Sequence, residues 1–271
     1  MLERSGSAST DLRSRWSSGE VTVGGWCLIP SSFSAELMAR AGFDWVCVDT
    51  QHGMIGYEQM LHMLQGLAAA RTPALVRVAR NDPGEIGRAL DAGAAGVVVP
   101  MVSSAADAAA VVKACRYPPS GTRSWAKSTR AGVSRPGYNP SDANAATLAI
   151  VQIETPEGVA QLDPILSVEG LDGVFVGPGD LAVSLGFDPR EKHPPELRKV
   201  IEAILGACLA RGMVAGIACP SVEAAHDWRA RGFLALAIQN DVSLLSQAAR
   251  RVVDAVASPQ SALPENLASK P

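Results

Sequence analysis

Short runs that are apolar on both faces recur along this chain, each separated from the next by a stretch with helical spacing. Eight such runs are read as strands, at about 21–29, 44–49, 74–78, 96–100, 148–153, 173–177, 213–218 and 233–239. GVVVP at 96–100 and GVFVG at 173–177 show no polar alternation. Strands of a parallel sheet covered by helices read this way, because neither face meets water. Helical patterns fill the gaps, for example Tyr57–Ala70, Asp107–Arg116, Glu196–Arg211 and Val222–Arg231. Eight strand–helix units in about 240 residues predict an α/β fold, a single-domain (β/α)8 TIM barrel spanning residues 1–271. An open doubly wound sheet is the alternative, disfavoured because no Gly-x-Gly-x-x-Gly turn follows any strand.

With 47% apolar residues in 271, the chain can bury one large core. A net charge of −3 without a clustered basic excess predicts no nucleic-acid partner. The longest apolar runs, such as 96–102, are too short to span a bilayer. The first 20 residues hold no apolar signal core. No membrane partner and a cytoplasmic location are therefore expected. Five scattered cysteines without a C-x-x-C pair read as buried reduced thiols. Residues 1–12 and 257–271, rich in Ser, Ala and Pro, read as loose ends. The long connection Tyr117–Ala146 reads as a functional loop over one barrel face, and 186–195 as a second insertion.

In such a barrel, chemistry collects at the carboxyl ends of the strands. There VDTQHG places Asp49, Gln51 and His52, the third strand carries Arg77, the fifth runs into Glu154, and the sixth into GPGD with Asp180. Singly, each has an ordinary alternative. His52 reads as a loop histidine, and Glu154 and Asp180 as helix caps. Arg77, a guanidinium in an apolar strand, needs either an acidic partner or an anionic ligand. Jointly they put two carboxylates, a histidine and an arginine on one rim. Two carboxylates with open positions suit a hard divalent ion such as Mg2+ or Mn2+. A 2-oxo acid chelates such an ion through its carboxylate and keto oxygens, and an arginine beside it favours an enolate. The GPGD turn exposes backbone N–H groups suited to a carboxylate. Lys113 lies in a helix and Lys127 in the long loop. The lack of a strand lysine favours metal over imine chemistry.

The stretches AGFDWVCVDTQHG, RVARNDPGEIGRALDAGAAGVVVPMV, ACRYPPSGTRS, VQIETPEGVAQLDPIL and GLDGVFVGPGDLAVSLG cover roughly residues 21–250 in order. Together they resemble the HpcH/HpaI aldolase family, the class II pyruvate aldolases of the phosphoenolpyruvate/pyruvate barrel superfamily. The resemblance implies a lyase that uses Mg2+, Mn2+ or Co2+. Its substrates are 4-hydroxy-2-oxo acids, cleaved to or formed from pyruvate or hydroxypyruvate and an aldehyde. Glu154 and Asp180, 180 − 154 = 26 positions apart, resemble the family's metal-binding carboxylates. His52 resembles its acid/base histidine, Arg77 the arginine at the pyruvyl oxygen, and Gln152 a glutamine lining the site. The backbone of Gly179 and Asp180 resembles the pyruvate carboxylate cradle. Asp91, in ALDAG, resembles the acid that orients the histidine. It sits late in a helix, so simple register puts it on the far side, where it is structural or serves a neighbouring site in an oligomer. Gln51 stands where many members have Glu.

A homo-oligomer is also implied, a hexamer built from trimers with helices exchanged between subunits. The apolar last helix, Val242–Val256, is consistent with it. Two alternatives are carried. One is a CoA-thioester or citrate-type lyase of the same superfamily, with Arg123, Lys127, Arg130 and Arg135 of the long loop around the barrel mouth. The other is a 2-oxo acid-binding barrel without turnover. Aldehyde specificity is expected in the 117–146 loop and near Trp26, Trp125 and 218–220.

Overall fold

The computed structural model describes residues 11–190 and 194–257. Eight strands lie close to the apolar runs: β1 (Thr22–Cys27), β2 (Trp45–Asp49), β3 (Ala74–Arg77), β4 (Gly96–Val99), β5 (Leu148–Ile153), β6 (Gly173–Val176), β7 (Val214–Cys219) and β8 (Ala235–Ile238). They close into a barrel in chain order, and β8 returns parallel to β1. Helices on the connections cover the outside, as the (β/α)8 reading requires.

Alternation along each strand divides the core in two. Val46, Val48, Val97, Val99, Val151 and Val174 point outward into the layer beneath the helices. Trp45, Cys47, Leu75, Val98, Ile150 and Phe175 point inward and fill the barrel. Large residues need small partners opposite. A Cβ on Gly24 would lie 2.2 Å from the Trp45 ring, so only glycine lets that indole cross the barrel.

The amino end of the barrel is closed by a helix not anticipated from the sequence, Leu12–Ser17. Leu12 and Trp16 bury themselves in the inner core. The indole N–H groups of Trp16 and Trp45 both donate to Thr22 Oγ1, at 2.8 and 3.0 Å. Within the stretch expected to be loose, Asp11 therefore caps a helix and Leu12 is core. Residues 1–10 and 258–271 lie outside the described residues, as do 191–193 of the second insertion.

The long connection is corrected as well. It leads from the end of the Ala105–Cys115 helix to the start of β5, so it lies at the amino end, opposite the strand ends that carry the polar residues. It folds against the barrel instead of covering a cleft. Trp125 stacks on Tyr138 with centroids 5.4 Å apart and meets Tyr117 edge-on at 5.2 Å. Arg130 donates to the carbonyl of Ala92 at 2.7 Å, where the Pro83–Asp91 helix ends. The five cysteines are free and buried. Among the described residues, no helix is long and apolar enough to cross a membrane.

Candidate active site

The inward parity that fills the barrel also builds the site. On β2 the inward series 45, 47 ends at Asp49; on β3, 75 is followed by Arg77; on β5, 148 and 150 lead to Gln152 and then Glu154. Beyond β6 the chain passes through Gly177 into the Pro178–Ser184 helix, with Asp180 in its first turn. Asp49, His52, Arg77, Gln152, Gly179 and Asp180 all border one cleft of about 1260 Å³, which Trp26 and Phe175 also line.

Asp49 is the organising group on one side. Fully buried, it accepts from Arg77 Nε at 3.1 Å and Nη2 at 2.5 Å, and from Trp26 Nε1 at 3.0 Å. It also accepts from the backbone N–H groups of Gln51 and His52, at 2.9 and 3.1 Å. One carboxylate thus fixes both the guanidinium and the turn that presents His52. Burial pushes its carboxyl upward, but the hydrogen bonds and charge of Arg77 outweigh this and hold it below the usual carboxylate range. Arg77, read from sequence as needing an acid or an anionic ligand, has the acid and still faces the cleft. Asp49 was visible as a strand-end acid but not singled out. Its inward parity and its register partner Arg77 were the missing signals.

The other side is built around Glu154. It is buried, and Oε1 accepts the Met101 N–H at 2.7 Å while Oε2 accepts from the Gln152 side-chain amide. Burial raises its pKa, as does the negative charge of Asp180 nearby; the Met101 and Gln152 donors only partly offset this. Met101 reaches its position with φ of 57°, uncommon for a residue with a side chain. A Cβ on Gly177 would stand 2.5 Å from Gln152 Nε2 and 2.6 Å from Glu154 Oε2, so the backbone leaving β6 presses directly on this group.

These residues fit a hard divalent cation. The charge of Asp180 acts on Glu154, which among the described residues forms no ion pair and feels Arg77 only as a weaker charge, and the buried Oε1 of Gln152 has no hydrogen-bond partner. Among the described residues no cluster of three or more His, Cys, Asp or Glu has metal-site spacing. The fit therefore rests on two carboxylates, with the remaining positions left to substrate and water.

Asp91 is not brought to the cleft. It closes the Pro83–Asp91 helix at the amino end of the barrel, where it accepts from Arg123 Nη2 at 2.6 Å. Within one subunit it cannot orient His52. The 117–146 loop, including Trp125, likewise does not border the cleft, whereas Trp26 and Ala218–Pro220 do. Basic residues of that loop do not ring the barrel mouth: Arg123 is held by Asp91, and Arg130 by backbone carbonyls.

The HpcH/HpaI aldolase/citrate lyase family model matches residues 24–248. The chain is 38% identical over 234 residues to the 4-hydroxy-2-oxo-heptane-1,7-dioate aldolase of Salmonella dublin, covering 85% of this chain and 88% of that one. It is 40% identical over 232 residues to a pyruvate aldolase of Rhizobium etli, covering 84% and 90%. The crystal structure of an HpcH/HpaI aldolase/citrate lyase family protein from Burkholderia cenocepacia matches with a TM-score of 0.86 at 33% identity, covering 92% of this chain and 100% of the other.

Proposed function

This chain belongs to the HpcH/HpaI aldolase/citrate lyase family, and from that premise we propose that it is a divalent-metal-dependent aldolase. It joins pyruvate or hydroxypyruvate to an aldehyde and cleaves the resulting 4-hydroxy-2-oxo acid. The observation that carries this is the pairing across one cleft of Arg77 and His52, both fixed by Asp49, with Asp180 and with Gln152, whose side-chain amide holds the buried Glu154.

Glu154 and Asp180 would hold Mg2+, Mn2+ or Co2+, which supplies Lewis-acid polarisation of the keto oxygen. Arg77 faces the same oxygen, and its charge matters most as negative charge develops there. In the cleavage direction His52 takes the proton from the 4-hydroxyl, the C3–C4 bond breaks, and the aldehyde leaves. The electron pair left on C3 forms the enolate, which is reprotonated at C3 to give the 2-oxo acid. Gln152 lines the pyruvyl side, and the backbone at Gly179 and Asp180 receives the substrate carboxylate.

We further propose a cytoplasmic homo-oligomer, a trimer or hexamer. The last helix, Asp241–Ala257, supports this, since Leu245, Val252, Val253 and Val256 stand exposed on it. In such an assembly Asp91 would serve a neighbouring subunit's cleft. A CoA-thioester lyase is disfavoured, because the basic loop residues it would use lie at the opposite end of the barrel.

The test is an aldehyde panel with pyruvate and with hydroxypyruvate, alongside CoA thioesters. Aldol product is expected, lost with EDTA and restored by Mg2+, Mn2+ or Co2+. Full activity in rigorously metal-free protein, or cleavage of the thioesters alone, would end the proposal.

A further inference from the structure

Three residues with side chains adopt the left-handed backbone conformation among the described residues: Arg71, Met101 and Gln239, with φ of 58°, 57° and 56°. Two of them keep their N–H on a backbone carbonyl. Arg71, in the turn after the Tyr57–Ala69 helix, donates to Ala68 at 3.0 Å, and Gln239, after β8, donates to Cys219 at 3.2 Å. Met101 gives its N–H to a side chain instead, Glu154 Oε1 at 2.7 Å.

The sequence around Met101 explains how the N–H arrives there. β4 and β5 run in register, with Val99 opposite Val151. Pro100, which follows, has no N–H to continue a ladder. The left-handed turn at Met101 then delivers its N–H to Glu154, just past the end of β5. This turn is clamped on both sides. Pro100 and Val102 are buried. Ser103 Oγ lies 2.8 Å from Oγ1 of Thr155, the residue after Glu154. The Val102 carbonyl packs so closely on Gly158 that a Cβ there would stand 2.9 Å from it. A strained angle persists where its surroundings over-determine it. The Met101 side chain, 56% exposed, takes no part in the clamp. What this position supplies is backbone.

The two oxygens of Glu154 are therefore held unequally. Oε1 accepts from a backbone N–H fixed in a clamped loop. Oε2 accepts from the Gln152 amide, the end of a side chain that can rotate. Oε2 is also the oxygen on the cleft side, since Gln152 and Gly177, which both approach it, border the cleft. We infer that Met101 is a positioning residue for metal binding: its N–H commits Oε1 and leaves Oε2 as the single oxygen that Glu154 offers a divalent ion. This rests on the reading of Glu154 as a metal-binding carboxylate and deepens it. Partners that orient a metal-binding group from behind set the affinity of the site as well as its shape.

The experiment titrates metal-free protein with Mn2+ and follows the free ion by electron paramagnetic resonance, with no substrate present. Two changes divide the residue. Replacing Met101 by its α-hydroxy acid analogue puts an ester oxygen where the N–H was and keeps the side chain. Met101→Gly removes the side chain and keeps the N–H. The ester should weaken Mn2+ binding about 10- to 100-fold. Met101→Gly should bind within about twofold of wild type, because glycine takes the left-handed angle without strain. In wild-type protein carrying methionine labelled with nitrogen-15, the amide signal that Met101→Gly removes should move when Mg2+ is added. An N–H that only supports the fold would lower the Tm of the ester protein and leave its Mn2+ affinity unchanged, which would overturn the inference. So would a Met101→Gly protein that binds Mn2+ as weakly as the ester, or an amide signal that stays fixed while Mg2+ binds. Wild-type protein that binds no Mn2+, or Glu154→Gln that binds it as tightly as wild type, would instead strike the metal reading of Glu154, and this inference with it.

Discussion

The two ends of the barrel handle buried charge in opposite ways. At the amino end the half-buried carboxylates Asp172 and Asp44 meet cations. Asp172 pairs with Arg13 and with Arg116, and Asp44 with Arg15. Of the buried carboxylates described at the carboxyl end, Asp49, Glu154 and Asp241, only Asp49 pairs with a cation, Arg77. Glu154 is held by a backbone N–H and a side-chain amide, with the like charge of Asp180 beside it. Pairing at the amino end makes a stable floor. Incomplete pairing at the carboxyl end costs stability in the free protein and leaves charge available to a ligand. One barrel thus separates the end that holds the fold together from the end that does chemistry.

The largest expected effect that tests this division is on rate. His52→Ala should slow the reaction by about 10²–10⁴ with little change in stability, because His52 is exposed and only its backbone N–H is tied down. Oxalate, a planar mimic of the enolate, should still bind. Arg77→Ala should cost about 3–4 kcal/mol in barrier and weaken oxalate as well. It should also destabilise the protein, since Asp49 is left buried without its cation. Arg77 is the one place at the carboxyl end where the logic of the amino end applies. Pyruvate proton exchange at the wild-type rate in His52→Ala would return His52 to an ordinary loop histidine.

The complementary substitution at the other end is Trp16→Ala. Removing an indole buried in the inner core should cost about 3–5 kcal/mol of stability. Thermal unfolding should move down by roughly 10 °C, while kcat measured well below the transition stays near wild type. A large fall in kcat without a fall in Tm would mean that the two ends are not separate.

How much of this was legible in the sequence follows the same line. The strands showed because strands covered on both faces have no polar residue to interrupt them. The same absence made each polar residue at a strand end conspicuous, which is why His52, Arg77, Glu154 and Asp180 stood out. The Leu12–Ser17 helix did not show, because six residues are too few for a periodic signal and the inner core that Leu12 and Trp16 join is drawn from strands far along the chain. The long loop shows in the sequence, but its expected roles, aldehyde specificity and basic residues around the mouth, belong to the wrong end of the barrel. Chain order settles that, since a connection from helix to strand lies at the amino end of a barrel. Met101 and Gln239 were invisible, because a backbone angle leaves no trace in residue type unless the residue is glycine.

The smallest predicted effect is one of pH. Burial and Asp180 raise the pKa of Glu154 above its ordinary value of 4.5. Metal-free folded protein therefore binds a proton there more readily than the unfolded chain does, and stability falls as pH rises from that ordinary value through the raised one. Asp49 has the opposite sign: its contribution is present above the ordinary aspartate range and is lost as pH falls through its lowered value. Tm measured against pH in EDTA should show the Glu154 decline, and Glu154→Gln should remove it while abolishing turnover. A metal-free profile identical in Glu154→Gln and wild type would show that Glu154 carries no such penalty.

Gly177 has a consequence for how this site can change over generations. A methyl group there would collide with Gln152 and Glu154 together, so the three positions are not independent letters. A substitution at Gly177 is tolerated only after the other two side chains have shortened or moved, and Glu154 cannot shorten without giving up its oxygen. Effects at such positions do not add. New specificities in this chain are therefore reached by single steps around β7 and β8, where Ala218 and Ala237 leave space, while the β5–β6 side changes only by coordinated replacement.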